Sequence, residues 1–167
     1  IVKAAQDYID IGNIAYLTDS QKALNAYEKA VNLDSSNMVA WNRLGYIKMR
    51  LGYLEEAKHA FEKVFELAGG DKECEATAYG GLGYIYKDLG DLDKAEEYYL
   101  KSLDINKSLG SLGGMADAYG NLGYICKTRG DLDKACDYWR QSFNTFTNIG
   151  AQDKIELVRG WITENCK

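Results

Sequence analysis

Three tyrosines recur at one station of this sequence. Tyr46, Tyr84 and Tyr124 each follow a glycine, in Leu44-Gly45-Tyr46, Leu82-Gly83-Tyr84 and Leu122-Gly123-Tyr124. On an accessible helix face such a row would form a ladder for an extended peptide, the flat rings gripping side chains and the hydroxyls meeting backbone groups. Arg43, Arg50, Lys87 and Lys127 lie near the row and would steer an acidic segment or a terminal carboxylate toward it. Asn13 and Asn121 add amides able to hold a peptide backbone. Two plainer readings stand beside this one. The rings would instead pack between neighbouring elements, and the charges, diluted by Asp10, Asp88 and Asp117, would form a solvated face of mixed sign.

Other chemistries find little support. The single histidine, His59, falls between Lys58 and Ala60 on the outward side of a helix, which suits a surface role. Glu55-Glu56 and Glu96-Glu97 are adjacent pairs whose side chains diverge by about 100° on a helix, so they read as solvated faces rather than an acid/base dyad. No phosphate loop or metal-ligand spacing appears, so neither catalysis nor a cofactor is expected. Cys74, Cys126, Cys136 and Cys166 are scattered without a CxxC pair, and are expected as reduced thiols of a cytoplasmic protein. Cys126 reads as a small core residue, and Cys136 has no basic neighbour placed to activate it. A net charge of −5 without a basic stripe argues against nucleic acid as a partner. No run of about 18 apolar residues and no basic-then-apolar leader is visible, so no membrane association is expected. The chain begins at Ile1 without Met, which suggests a piece of something longer.

The elements that must position these residues are set by a repeat. Ala40-Trp41-Asn42-Arg43-Leu44-Gly45-Tyr46-Ile47 returns as Ala78-Tyr79-Gly80-Gly81-Leu82-Gly83-Tyr84-Ile85 and as Ala118-Tyr119-Gly120-Asn121-Leu122-Gly123-Tyr124-Ile125. Twelve residues after each motif glycine comes an alanine (Ala57, Ala95, Ala135), and four later an aromatic (Phe61, Tyr99, Trp139). Gly12 and Ala23 mark a degenerate first copy, one residue shorter in its turn. With no proline and 17 glycines, the pattern predicts helices punctuated by glycine turns. Helical spacing places them at about 3–17, 20–33, 37–51, 54–68, 72–89, 92–109, 115–129, 132–149 and 152–165. Asp19 or Ser20, Asp91 and Asp131 are the expected N-caps, and Gly52, Gly90 and Gly130 the expected stops. The segment Leu109-Gly110-Ser111-Leu112-Gly113-Gly114 reads as a separator.

This pattern resembles the tetratricopeptide repeat, W-x2-L-G-x2-Y followed by a later alanine and an aromatic on two antiparallel helices. The resemblance implies an all-α fold, an α-α superhelix of about four helix-turn-helix repeats (4–36, 37–70, 71–114 and 115–150) in a single domain over 1–167. A capping helix at 152–165 would close it, with Trp161 half covered. It also implies that Gly12, Gly45, Gly83 and Gly123 lie where the partner helix crosses, facing Ala23, Ala57, Ala95 and Ala135. The family's terminal proline is absent, and the spacings from Gly45 to Gly83 and Gly83 to Gly123 are 38 and 40 residues, against 34 in the usual repeat. That length is similar to the long-repeat variant of kinesin light chains and spindle-orientation adaptors.

The same resemblance implies that partners lie along the concave side, lined by the first helix of each pair. At 100° per residue, Trp41, Lys48 and Leu51 fall on the side of Leu44, while Val39, Asn42, Tyr46, Met49 and Arg50 fall opposite. Equivalent offsets select Thr77, Gly80, Tyr84, Lys87 and Asp88, then Asp117, Gly120, Tyr124, Lys127 and Thr128. The expected function is binding of a peptide or segment of another protein, with Tyr46, Tyr84 and Tyr124 as anchors. The two-carboxylate clamp of chaperone-binding members is incomplete: Asn13 and Arg43 are kept, but Ile9, Thr77 and Gly81 stand where partners are needed. Two alternatives remain open, a scaffold that self-associates through its repeat ends and a regulatory arm of a larger enzyme or sensor.

Overall fold

Glycine stops and side-chain caps mark many of the helix ends along the chain. In the computed structural model, which describes residues 1–167, nine helices result: α1 (Val2–Ala15), α2 (Ser20–Leu33), α3 (Met38–Arg50), α4 (Leu54–Leu67), α5 (Lys72–Asp88), α6 (Leu92–Leu109), α7 (Leu112–Thr128), α8 (Leu132–Ile149) and α9 (Gln152–Asn165). Gly90 and Gly130 take φ values of 79° and 85°, a region open to glycine that turns the chain out of α5 and α7. Asp91 and Asp131 then accept the backbone N–H groups of Lys94 and Lys134, each at 3.1 Å, satisfying donors that have no intrahelical partner. Asp19 and Asn37 cap α2 and α3 in the same way.

Two compact units make up the chain, residues 1–85 and 86–167, the boundary falling inside α5. In the first, the fully buried rings of Tyr27 and Phe61 fill the space that motif glycines leave. A Cβ on Gly12 would sit 2.4 Å from the Tyr27 ring. One on Gly45 would lie 2.7 Å from the Phe61 ring and one on Gly81 2.3 Å from it, so that ring is held between α3 and α5. Burying a side chain of this size stabilises the fold by roughly 1.5–3 kcal/mol. The ring that meets Gly12 and Gly45 is in each case the aromatic four residues beyond the alanine. The alanines Ala23 and Ala57 are nonetheless fully buried.

In the second unit Trp139 has the same place, 2.5 Å from a Cβ on Gly123, and its indole N–H donates to the Gly120 carbonyl at 3.2 Å. Tyr99 packs with Ala95, Leu103, Ala118, Leu122 and Ile125. Helix α9 lies on α8, burying Ile155 and Val158 and leaving Trp161 half-buried against Trp139, ring centroids 6.0 Å apart.

Two expectations are corrected. Helix α7 begins at Leu112 rather than 115, because only Gly110 adopts the left-handed conformation and Ser111 already precedes the helix. Gly113 and Gly114 are helical, and Gly114 makes room for Asn106, whose Oδ1 would lie 2.2 Å from an added Cβ. Cys136 and Cys166 are not reduced thiols. They form a disulfide joining α8 to the residue after α9, with Cα atoms 5.8 Å apart across 30 residues of sequence. Nothing in that spacing marks a pair until α9 folds back along α8. Cys74 and Cys126 are free.

Candidate functional site

The residues singled out from the sequence divide between the two units, and their surroundings differ. In the first unit Tyr46 is half-buried, its ring edge-on to Phe61 at 5.2 Å and its hydroxyl donating to the Thr77 carbonyl of α5 at 2.9 Å. Asn42, one turn earlier, is buried. Its Nδ2 reaches the Cys74 carbonyl at 3.4 Å and its Oδ1 has no hydrogen-bond partner. Asn42 and Tyr46 are therefore covered by α5, while Val39 and Arg50 on the same side of α3 stay exposed.

Arg50 hydrogen-bonds the Tyr16 carbonyl through Nη1 and lies over the Tyr16 ring at 5.3 Å. Asn13 is exposed, and its Oδ1 accepts the Tyr27 hydroxyl at 2.9 Å. Burial raises the Tyr27 pKa, against the lowering effect of the Arg43 charge. Arg43 itself is exposed. Tyr84, on α5, is 37% exposed.

In the second unit Tyr124 projects from α7 with 48% of its surface exposed. The Lys87 ammonium sits 5.2 Å from its ring centroid, a cation–π approach, and Lys127 is exposed less than one turn farther along α7. One turn earlier Asn121 is half-buried, donates through Nδ2 to the Asp117 carbonyl at 3.0 Å and lines a cleft.

That cleft, about 190 Å³, is lined by Asp117, Gly120, Asn121, Lys154, Leu157 and Trp161 among others. Lys154 of α9 donates to Asp117 at 2.9 Å, and Trp161 would stand 3.3 Å from a Cβ on Gly120. Asp117 and Gly120 are among the positions selected by helical offset; Lys154, Leu157 and Trp161 were missed. The bare Gly120 station facing a C-terminal tryptophan is the signal that could have found them.

The remaining polar groups are structural in their contacts. Burial works to lower the Lys48 pKa, but hydrogen bonds to Glu56 and Glu28 outweigh it and the pKa is raised. Lys48 thereby ties α3 to α2 and α4. Burial pushes up the thiols of Cys74 and Cys126, so neither is primed as a nucleophile. His59 is exposed, edge-on to Trp41 at 6.4 Å.

Comparison with known proteins places these helices in a familiar setting. Models described as tetratricopeptide repeat match residues 37–108 and 116–144, together more than half of the chain. The protein STIP1 homolog of Dictyostelium discoideum is 32% identical over 111 residues, covering 64% of this chain and 20% of its own length. Small glutamine-rich tetratricopeptide repeat-containing protein 2 of Saccharomyces cerevisiae is 30% identical over 104 residues, 60% of this chain and 30% of its own. The chain thus spans about a fifth of the first relative and under a third of the second. A crystal structure of MamA protein superposes with a TM-score of 0.66 at 25% identity, covering 95% of this chain and 82% of that one.

Proposed function

Because the chain belongs to the tetratricopeptide-repeat family, we propose that it is a non-catalytic interaction module that binds a segment of another protein along the first helices of its hairpins. The observation that carries this reading is the state of Tyr124: an exposed ring, topped by Lys87 and neighboured by Lys127, on a helix face that the hairpin core does not use. An aromatic platform flanked by two ammonium groups favours an acidic segment or a terminal carboxylate over a basic or purely apolar one. Tyr84 of α5, in the unit of residues 1–85, is a further exposed ring. No helix is long and apolar enough to cross a membrane, and the cytoplasmic placement drawn from the sequence belongs to this reading. The lengths of α5 to α8, 17 or 18 residues against 13 or 14 in α1 to α4, support the long-repeat variant for the later hairpins.

The test is selection of peptides from a displayed random library on the whole chain, followed by calorimetry. Selected peptides should be acidic, and Tyr124→Ala should weaken them by more than ~1 kcal/mol, the usual threshold for an anchor. Selected peptides that bind Tyr124→Ala and Lys127→Glu variants as tightly as the parent remove the reading. A second reading, self-association through the repeat ends, is favoured by Ile14 and Leu17 of the first repeat, each 80% exposed. Light scattering that shows a constant monomer mass across the micromolar range would exclude it.

A further inference from the structure

Helix α9 lies beyond the matched repeats, and its two halves are held differently. Both fully buried residues of α9, Ile155 and Val158, lie in its first half, whereas α8 buries Ala135, Cys136, Trp139, Ser142 and Phe146 along its length. Beyond Val158 comes Gly160, where an added Cβ would meet nothing within 4 Å. A helical glycine that no neighbour requires is a weak point, since it gains no contact and loses backbone freedom on folding. Trp161 and Ile162 are only half-buried, and the one covalent restraint on this stretch is the bond from Cys166 to Cys136.

We propose that this disulfide is a redox latch. Closed, it holds the second half of α9 against α8 and keeps Trp161 over Gly120 of α7. Opened by a dithiol reductant, it releases residues 159–167 and widens the cleft beside Asp117 and Gly120. The inference does not depend on what the first helices bind.

The geometry makes the bond reachable. A cleft of about 470 Å³ opens beside Cys136, lined by Leu132, Asp133, Asp137, Arg140, Asn165 and Lys167. Cys136 lines this cleft, so a thiolate that enters it meets the Cys136 sulfur. It attacks that Sγ, forming a mixed disulfide, while the Cys166 sulfur leaves as a thiolate and takes a proton from water. The reductant's second thiolate then attacks its own tethered sulfur, and Cys136 leaves and is protonated. Two electrons pass to the protein, and the reductant ends as its own disulfide. In an oxidising compartment the latch would stay shut, whereas in a reducing cytoplasm it would open whenever the thiol pool reaches it.

Amide hydrogen exchange on the whole chain, read by mass spectrometry with and without dithiothreitol, tests this. Reduction should speed exchange over residues 159–165 about tenfold, with α1 to α8 changing by less than about twofold. Cys166→Ser should show the reduced pattern without reductant and no further change with it. Unchanged exchange on reduction overturns the proposal. So does faster exchange throughout residues 86–167, which would make the bond a staple of the whole unit, and so does a thiol titration that finds all four cysteines free in the air-oxidised protein. Should Cys166→Ser fail to fold, reduction of the parent chain still decides between these outcomes.

Discussion

Tyr46 and Tyr124 occupy the same place in the same motif, yet the first is held and the second is open. Tyr46 gives its hydroxyl to Thr77 and its ring edge to Phe61, while Tyr124 keeps nearly half its surface in water under Lys87. The difference comes from the next helix in the chain. After α3 and α4 comes α5, a full first helix whose Gly81 lets it close onto the Phe61 ring and cover Asn42 and Tyr46. After α7 and α8 comes α9, whose contacts on α7 fall at Asp117 and Gly120, before Tyr124 is reached. For Tyr46 and Tyr124 the motif specifies where the ring projects, and the element that follows decides how far it is covered.

The largest expected effect separates the two cores. Trp139→Ala removes a fully buried ring and the partner of the Gly120 carbonyl, and should cost about 3–5 kcal/mol, read by chemical denaturation. Exchange should rise in residues 86–167 far more than in α1 and α2. Equal loosening of α1 and α2 would contradict placing this ring in the core of residues 86–167.

The close approach that hides Tyr46 can be broken next. Gly81→Ala sets a methyl 2.3 Å from the Phe61 ring and should destabilise by about 1–3 kcal/mol, loosening α5 from α3. Gly160→Ala, in open space on α9, should instead stabilise by about 0.5–1 kcal/mol. Matching changes in midpoint for the two variants would show that the packing at Gly81 has been misjudged.

A smaller contrast sharpens the comparison itself. Tyr46→Phe leaves the Thr77 carbonyl without its donor and should cost about 0.5–1.5 kcal/mol, while Tyr124→Phe should leave the unfolding curve unmoved. The smallest effect is one of pH. The Asp91 pKa is lowered, chiefly by the backbone N–H of Lys94 and then by that residue's side chain. A carboxyl whose folded pKa lies below its unfolded one contributes stability above the unfolded value and loses it as pH falls through the folded one. Asp91→Asn, which keeps a capping oxygen without the charge, should therefore flatten the acid limb of the stability curve below about pH 4. An unchanged slope there would show that the cap carries no proton linkage.

Much of this was legible beforehand, for local reasons. Helix ends depend on glycine conformations and capping carboxylates within a few residues, so Gly52, Gly90, Gly130, Asp19, Asp91 and Asp131 could be read directly. Gly113 and Gly114 misled because a glycine that ends a helix and one that admits a neighbour look alike until Asn106 is seen beside the second. Helix spacing places Asn42 and Tyr46 on one side of α3, but only the approach of α5 shows these two to be covered. Cys136 and Cys166 carried no local sign at all, since their meeting depends on the antiparallel return of α9.

The footprint of a selected acidic peptide on the whole chain, mapped residue by residue by amide exchange or chemical-shift change, bears hardest on the functional reading. Protection should gather on α7 around Asn121 to Lys127, with α3 at Tyr46 and the second helices α4, α6 and α8 unaffected. A footprint confined to those second helices, or centred on Tyr46, would contradict it.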